Sequence, residues 1–221
     1  NILSVMRENS YDGIDIDWEF PHKPDKENFM GLMAELFESL KTGEYRAYDS
    51  SIPELIFFTT TGYFDDGVDW GKIGDYCDYA VQSGYDWGNP YNAPLRNDGT
   101  VPTYSGLRIE NSMHGFGSSV IERGFPAEKF ILALPFYALP RGGPRYAELI
   151  KKGNFLSFDE KQAEAMYGYE DRVYFVNTAK SFEMKIDYVK SQGRPGIAIW
   201  EGSKIHPETD IWGVIKRLLT V

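Results

Sequence analysis

Apolar and polar side chains alternate one for one from Ile14 to Glu19, with Ile14, Ile16 and Trp18 on one parity and Asp15, Asp17 and Glu19 on the other. A period of two predicts a β-strand with unlike faces. Farther along, Phe29, Leu32, Met33, Leu36, Phe37 and Leu40 recur at spacings of three and four. That spacing predicts a one-faced helix lying on a sheet, with Asp25 as its cap. Residues 55–60 form a continuous apolar run, the pattern of a parallel strand buried on both faces. Residues 78–86, 129–137 and 196–200 are further strand candidates, and Val173 to Val176 is a shorter one. Helices are predicted over 112–123 with Phe116, Val120 and Ile121 inward, after Ser181 with Phe182, Ile186 and Val189 inward, and from Asp210 through Ile211, Ile215, Leu218 and Leu219. Residues 1–9, with Ile2, Leu3, Val5 and Met6, read as the tail of a helix preceding the first strand.

The acidic parity is the part of this pattern with chemistry in it. At about 3.3 Å of rise per residue, same-face neighbours lie roughly 6.6 Å apart at Cα. Carboxylates crowded on a buried face cannot all ionise cheaply, so at least one pKa rises, and a Glu kept protonated near neutral pH is a general acid. An edge strand with a solvated acidic face fits the alternation as well. A calcium loop does not, because the glycine at loop position six and the glutamate at position twelve are missing.

Composition narrows the partners. The 221 residues fit one domain, with a formal net charge of -10. Such a charge disfavours nucleic acid and anionic membranes as partners and leaves neutral glycans as natural candidates. No stretch approaches the ~20 apolar residues that span a bilayer. Cys77 is the only cysteine, and His22, His114 and His206 are scattered, so no intrachain disulfide and no metal or cofactor site is expected. His22 lies close enough to the acids to line a cleft beside them.

The run from Asp12 to Glu19 matches the DxxDxDxE signature of the family 18 glycoside hydrolases, the chitinases and related endo-β-N-acetylglucosaminidases, and Phe20-Pro21 resembles its usual continuation. Later segments resemble the family in the same order. Residues 78–86 are similar to its sixth strand, with Tyr85-Asp86 matching and Ser83 standing where Met is usual. Residues 129–137 resemble the seventh, ending Pro135-Phe136-Tyr137 with Ala138 in place of glycine. Residues 196–200 resemble the eighth, ending in Trp200. Ile205 and His206 occupy a region where the family often carries an acid.

The resemblance implies an α/β fold of the TIM (β/α)8-barrel type, in which the chain supplies strands four to eight of an open or incomplete barrel, with a short insertion at about 139–180. A complete barrel typically takes about 250 residues. Because the signature starts so near Asn1, the first three strands are expected in a segment absent from this chain or in another chain that covers the gap. The opening Asn, in place of Met, suggests a cropped or processed product.

By the same resemblance the activity is retaining, substrate-assisted hydrolysis of β-1,4 bonds at N-acetylglucosamine in chitin or chitooligosaccharides. Glu19 is then the acid and base, Asp17 orients the acetamido group, Asp15 shares a proton with Asp17, and Tyr85 steadies the acetamido oxygen. Asp86, Tyr137 and Trp200 bind the sugar, while Asp12 is structural. Trp87, Tyr91 and Tyr104, in the Gly- and Pro-rich stretch 87–106, are candidates for substrate contact. A non-catalytic glycan-binding relative and an endo-acting enzyme on N-glycans are the alternatives. An extracellular or cell-surface location is implied by the resemblance alone.

Overall fold

The computed structural model describes residues 2–42, 51–59, 65–86, 94–95, 112–202 and 210–219. In chain order its elements are α1 (Ile2–Asn9), β1 (Gly13–Ile16), α2 (Lys26–Lys41), β2 (Glu54–Thr59), β3 (Tyr79–Ser83), α3 (Met113–Glu122), β4 (Phe130–Pro135), α4 (Tyr146–Lys152), β5 (Asn154–Asp159), β6 (Glu164–Tyr169), β7 (Arg172–Val176), α5 (Ala179–Ser191), β8 (Ile197–Trp200) and α6 (Asp210–Leu219). Five strands form one parallel sheet in the order β1-β2-β3-β4-β8. The other three form an antiparallel sheet, β5-β6-β7, between β4 and α5.

The apolar periodicities decide which surfaces are buried. Phe29, Met33, Leu36 and Leu40 of α2 pack with Leu55 and Phe57 of β2. Trp70 sits among Phe57, Phe116, Phe125 and Phe130 with ring centroids 5.7–6.1 Å apart. Each fully buried Leu or Phe contributes about 1.5–3 kcal/mol of burial free energy. A second cluster joins Leu132 and Leu134 of β4 to Phe182, Ile186 and Val189 of α5, to Ile211 of α6, and to Tyr174 and Val176 of the small sheet. Buried Arg194 spans the two: its Nε donates to the Phe130 carbonyl at 2.6 Å and an Nη to Gln82 Oε1 at 2.8 Å, while Gln82 Nε2 donates to the Met113 carbonyl at 3.1 Å. These bonds satisfy the Gln82 amide and the Nε and one Nη of Arg194, which would otherwise be costly to bury, while the other Nη has no hydrogen-bond partner among the described residues.

Several expectations need correction. The first strand stops at Ile16, so of the three acids only Asp15 lies on it. Asp17 and Glu19 follow the last residue paired with β2, but they keep the parity, with residues 15 to 19 alternating exposed and half-buried. In β2, Leu55, Phe57 and Thr59 are buried whereas Ile56 and Phe58 are only half-buried and pack against the second cluster, so this strand is covered more completely on the helix side, while β3 and β4 are buried on both faces. Asp25 ends a short 3-10 turn and stands at the N-cap position of α2 as expected, but its carboxylate accepts from the His22 N–H at 3.0 Å and makes no side-chain bond to the first turn of α2. The helix α5 begins two residues before Ser181; Thr178 is its N-cap, and Ser181 Oγ accepts from the Thr178 N–H at 3.0 Å. The strands β5 and β6 were not anticipated, because a register shift between Phe155 and Ser157 breaks the period of two there.

Among the described residues β1 pairs on one side only, with β2. Beside it Ile2, Val5, Met6, Tyr11 and Ile14 line a hollow of about 510 Å³, and Val5 and Tyr11 are 51% and 54% exposed. Unpaired strand edges and contiguous apolar surface promote association. These 221 residues produced alone are therefore expected to bind a hydrophobic dye and to elute from a sizing column above the monomer mass; a dye-silent monomer would contradict this.

Candidate active site

Because β1, β2, β3, β4 and β8 run parallel, their carboxyl ends share one rim, and the residues just past those ends meet there. A cavity of about 560 Å³ lies at this rim. Asp15, Asp17 and Glu19 reach it from β1 and the segment beyond, Phe58 from β2, Ser83, Tyr85 and Asp86 from the end of β3, and Ala198, Ile199 and Trp200 from β8. Ala133 and Ala198, paired across β4 and β8, take little room on its floor. The turn after β3 depends on Gly84, whose N–H donates to the Ala133 carbonyl at 3.0 Å. A Cβ there would stand 2.3 Å from that oxygen, so a side chain would push Tyr85 and Asp86 out of place.

The acids perturb one another. Partial desolvation raises the Glu19 pKa, and the charge of Asp17 and a hydrogen bond with it raise it further. Asp15 is raised by desolvation and then by the Asp17 charge, although the residue stays exposed to solvent. Burial, reinforced by the charges of Asp86, Glu19 and Asp17, pushes the Tyr85 hydroxyl well above its ordinary range and outweighs its hydrogen bond with Ser83. Tyr85 is thus a neutral donor beside the acids, its ring stacked near Phe58 at 6.4 Å and edge-on to Tyr137 at 6.1 Å.

Trp200 is 50% exposed and lies on the boundary with a second cavity of about 450 Å³. Tyr137 lines that second cavity, together with Tyr146, Arg145 and Glu201. It is tied back to the first, since its hydroxyl donates to Asp86 Oδ1 at 2.7 Å. Six of the seven residues singled out in the sequence therefore line one cavity, and Tyr137 touches it through Asp86.

Sequence reasoning missed Arg141. It lines both cavities, forms an ion pair with Asp86, and lies over the Tyr137 ring at 5.3 Å. Its stretch, Pro140 to Pro144, has neither helical nor strand periodicity, so no signal marked it. His22, exposed at the start of the 3-10 turn, is not among the cavity's lining residues. Trp87, Tyr91, Tyr104, Ile205 and His206 fall outside the described residues. Among the described residues no cluster of three or more His, Cys, Asp or Glu side chains is arranged to hold a metal, and no helix is long and apolar enough to cross a membrane.

The arrangement is an acidic cleft with a flat aromatic surface at one end, and its relatives share it at the level of fold. Mouse chitotriosidase-1 is 25% identical over 241 residues that cover 90% of this chain and 50% of the relative, so the chain spans half the length of that protein. A chitinase from Trichuris suis superposes with a TM-score of 0.82 at 18% identity, covering 99% of this chain and 72% of the other. A chitinase-like agglutinin from Robinia pseudoacacia gives 0.82 at 20% identity, over 99% and 70%. These neighbours give the parallel sheet a TIM-barrel-like frame. The model of the glycosyl hydrolases family 18 matches residues 1–204, nearly the whole chain, and the protein belongs to that family.

Proposed function

We propose that this protein hydrolyses β-1,4 bonds at N-acetylglucosamine in chitin-type oligosaccharides, with retention and with assistance from the substrate's own acetamido group. The observation that carries the reading is the convergence of Asp15, Asp17, Glu19 and Tyr85 on one cavity with Trp200 at its end. The five parallel strands are then strands four to eight of the barrel, and residues 139–180, with the small sheet, are the insertion after the seventh.

Glu19, with its raised pKa, keeps a proton available for the leaving oxygen. Loss of the leaving group develops positive charge at the anomeric carbon, and the acetamido oxygen attacks that carbon to give an oxazolinium ion. Asp17 accepts from the acetamido N–H and strengthens that contact as charge appears. The neutral Tyr85 hydroxyl donates to the acetamido oxygen. Glu19, now ionised, takes a proton from the water that opens the ring. Asp86 and Tyr137 hold the sugar's hydroxyls over Trp200. An extracellular site of action fits this substrate class.

The intact protein is expected to cleave N-acetylchitooligosaccharides and to form the β-anomer first, which proton NMR reads during the reaction. The general acid must be protonated, so the rate should be high below the raised Glu19 pKa and fall as pH rises through it. A first-formed α-anomer, or no basic limb, would overturn the assignment. The agglutinin among the structural neighbours favours a second reading, a glycan-binding protein without turnover. Tight binding with no released sugar would establish that reading, and release from a glycoprotein but not from chitooligosaccharides would establish an N-glycan substrate.

A further inference from the structure

Asp86 adopts φ 58, a left-handed conformation that residues other than glycine seldom take, although Asp tolerates it better than most. Such a conformation persists where surrounding contacts over-determine it. Two contacts do so: the Tyr137 hydroxyl on Oδ1 at 2.7 Å, and the Arg141 guanidinium on Oδ2. Arg141 also lies over the ring of Tyr137, so the three side chains form a closed set in which each holds the other two. With 67% of the Arg141 side chain exposed, the ion pair adds little to folding stability. Its position is nevertheless specific, because among the described residues Arg141 and Trp200 are the two that line both cavities.

We propose that Arg141 is a positioning residue of the sugar site: its guanidinium, clamped on Asp86 and laid over Tyr137, holds the carboxylate and the hydroxyl that meet the sugar and joins the two cavities into one cleft. This rests on the glycan reading given above. The fork geometry is central to it. A guanidinium is planar, and it can donate to Asp86 while its face stays on the aromatic ring, which an ammonium cannot do. Arg141 therefore acts through Asp86 and Tyr137, and its loss should be felt as loss of their alignment.

The test is a double-mutant cycle on binding, in the intact protein carrying Glu19→Gln so that ligand is not consumed. Dissociation constants for N-acetylchitotetraose are measured by calorimetry for Asp86→Ala, Arg141→Ala and the pair. Each single change is expected to weaken binding roughly 10- to 100-fold, as for loss of a hydrogen bond to a charged group. The double mutant should be little weaker than either single one. Arg141→Lys keeps the charge but not the fork, and should recover only part of the loss, which a purely Coulombic role would not produce. Additive losses, an unaffected Arg141→Ala, or full recovery with Lys would each overturn the proposal while leaving the glycan reading intact. Failure of the tetramer to bind even with Arg141 present would overturn both.

Discussion

Glu19→Gln should reduce hydrolysis of chitooligosaccharides by about 10²–10⁴-fold, the usual worth of general acid–base help, while leaving their affinity unchanged. The amide keeps the size and hydrogen-bonding capacity of the acid and removes only the proton that moves. Because Glu19 is exposed at the rim and lies past the end of β1, the change should leave folding intact, so the loss would reflect chemistry. Steady-state rates and calorimetric affinities on the same preparation check it. Retention of more than about a tenth of the activity would put the acid elsewhere, since that loss is far below the range for a lost general acid.

Asp17→Asn should cost about 10²–10³-fold in kcat, by analogy with removing one preorganised electrostatic partner of a charge that develops in the transition state. The proposed mechanism gives Asp17 two roles, accepting from the acetamido N–H and, through its negative charge, helping to hold Glu19 in its protonated form. The first role predicts a loss confined to N-acetylated substrates and larger in kcat than in binding, because the contact tightens only as charge appears. The second predicts that the basic limb of the pH profile moves to lower pH, since removing the Asp17 charge removes one cause of the raised Glu19 pKa. Hydrolysis of plain glucose oligomers at a comparable rate would count against substrate assistance.

Much of this was legible in the residues because the relevant signals are local. Alternation around Asp15, Asp17 and Glu19 gave one exposed parity, and the alternation of exposure continues to Glu19 even though the strand ends at Ile16. The spacing of Phe29, Leu32, Met33, Leu36, Phe37 and Leu40 marked the inward stripe of α2; four of these six are buried, and Leu32 and Phe37 at its margins are half-buried. Features set by tertiary approach were not legible. Of the small sheet only the strand at Val173 to Val176 was legible; in β5 a register shift between Phe155 and Ser157 interrupts the pairing. Arg141 reaches Asp86 across 55 positions of chain from a turn with no period. Asp25 is the N-cap residue that the pattern suggested, but the 3-10 turn before α2 carries its carboxylate back to His22.

The two apolar clusters also bear on the width of the cleft. Ile14, Ile16 and Trp18, which anchor the acidic segment, pack on one cluster, whereas Tyr85, Tyr137 and Ile199 beside Trp200 belong to the other. The acidic segment and the Trp200 end of the cavity are thus mounted on separate blocks. The strands β3 and β4 supply side chains to both blocks, Ala80 and Phe130 to the first and Val81 and Leu132 to the second. With Arg194 donating to both the Phe130 carbonyl and Gln82, these two strands form the shared frame on which both blocks are built, so the separation of the acids from Trp200 is set by buried residues behind the cavity.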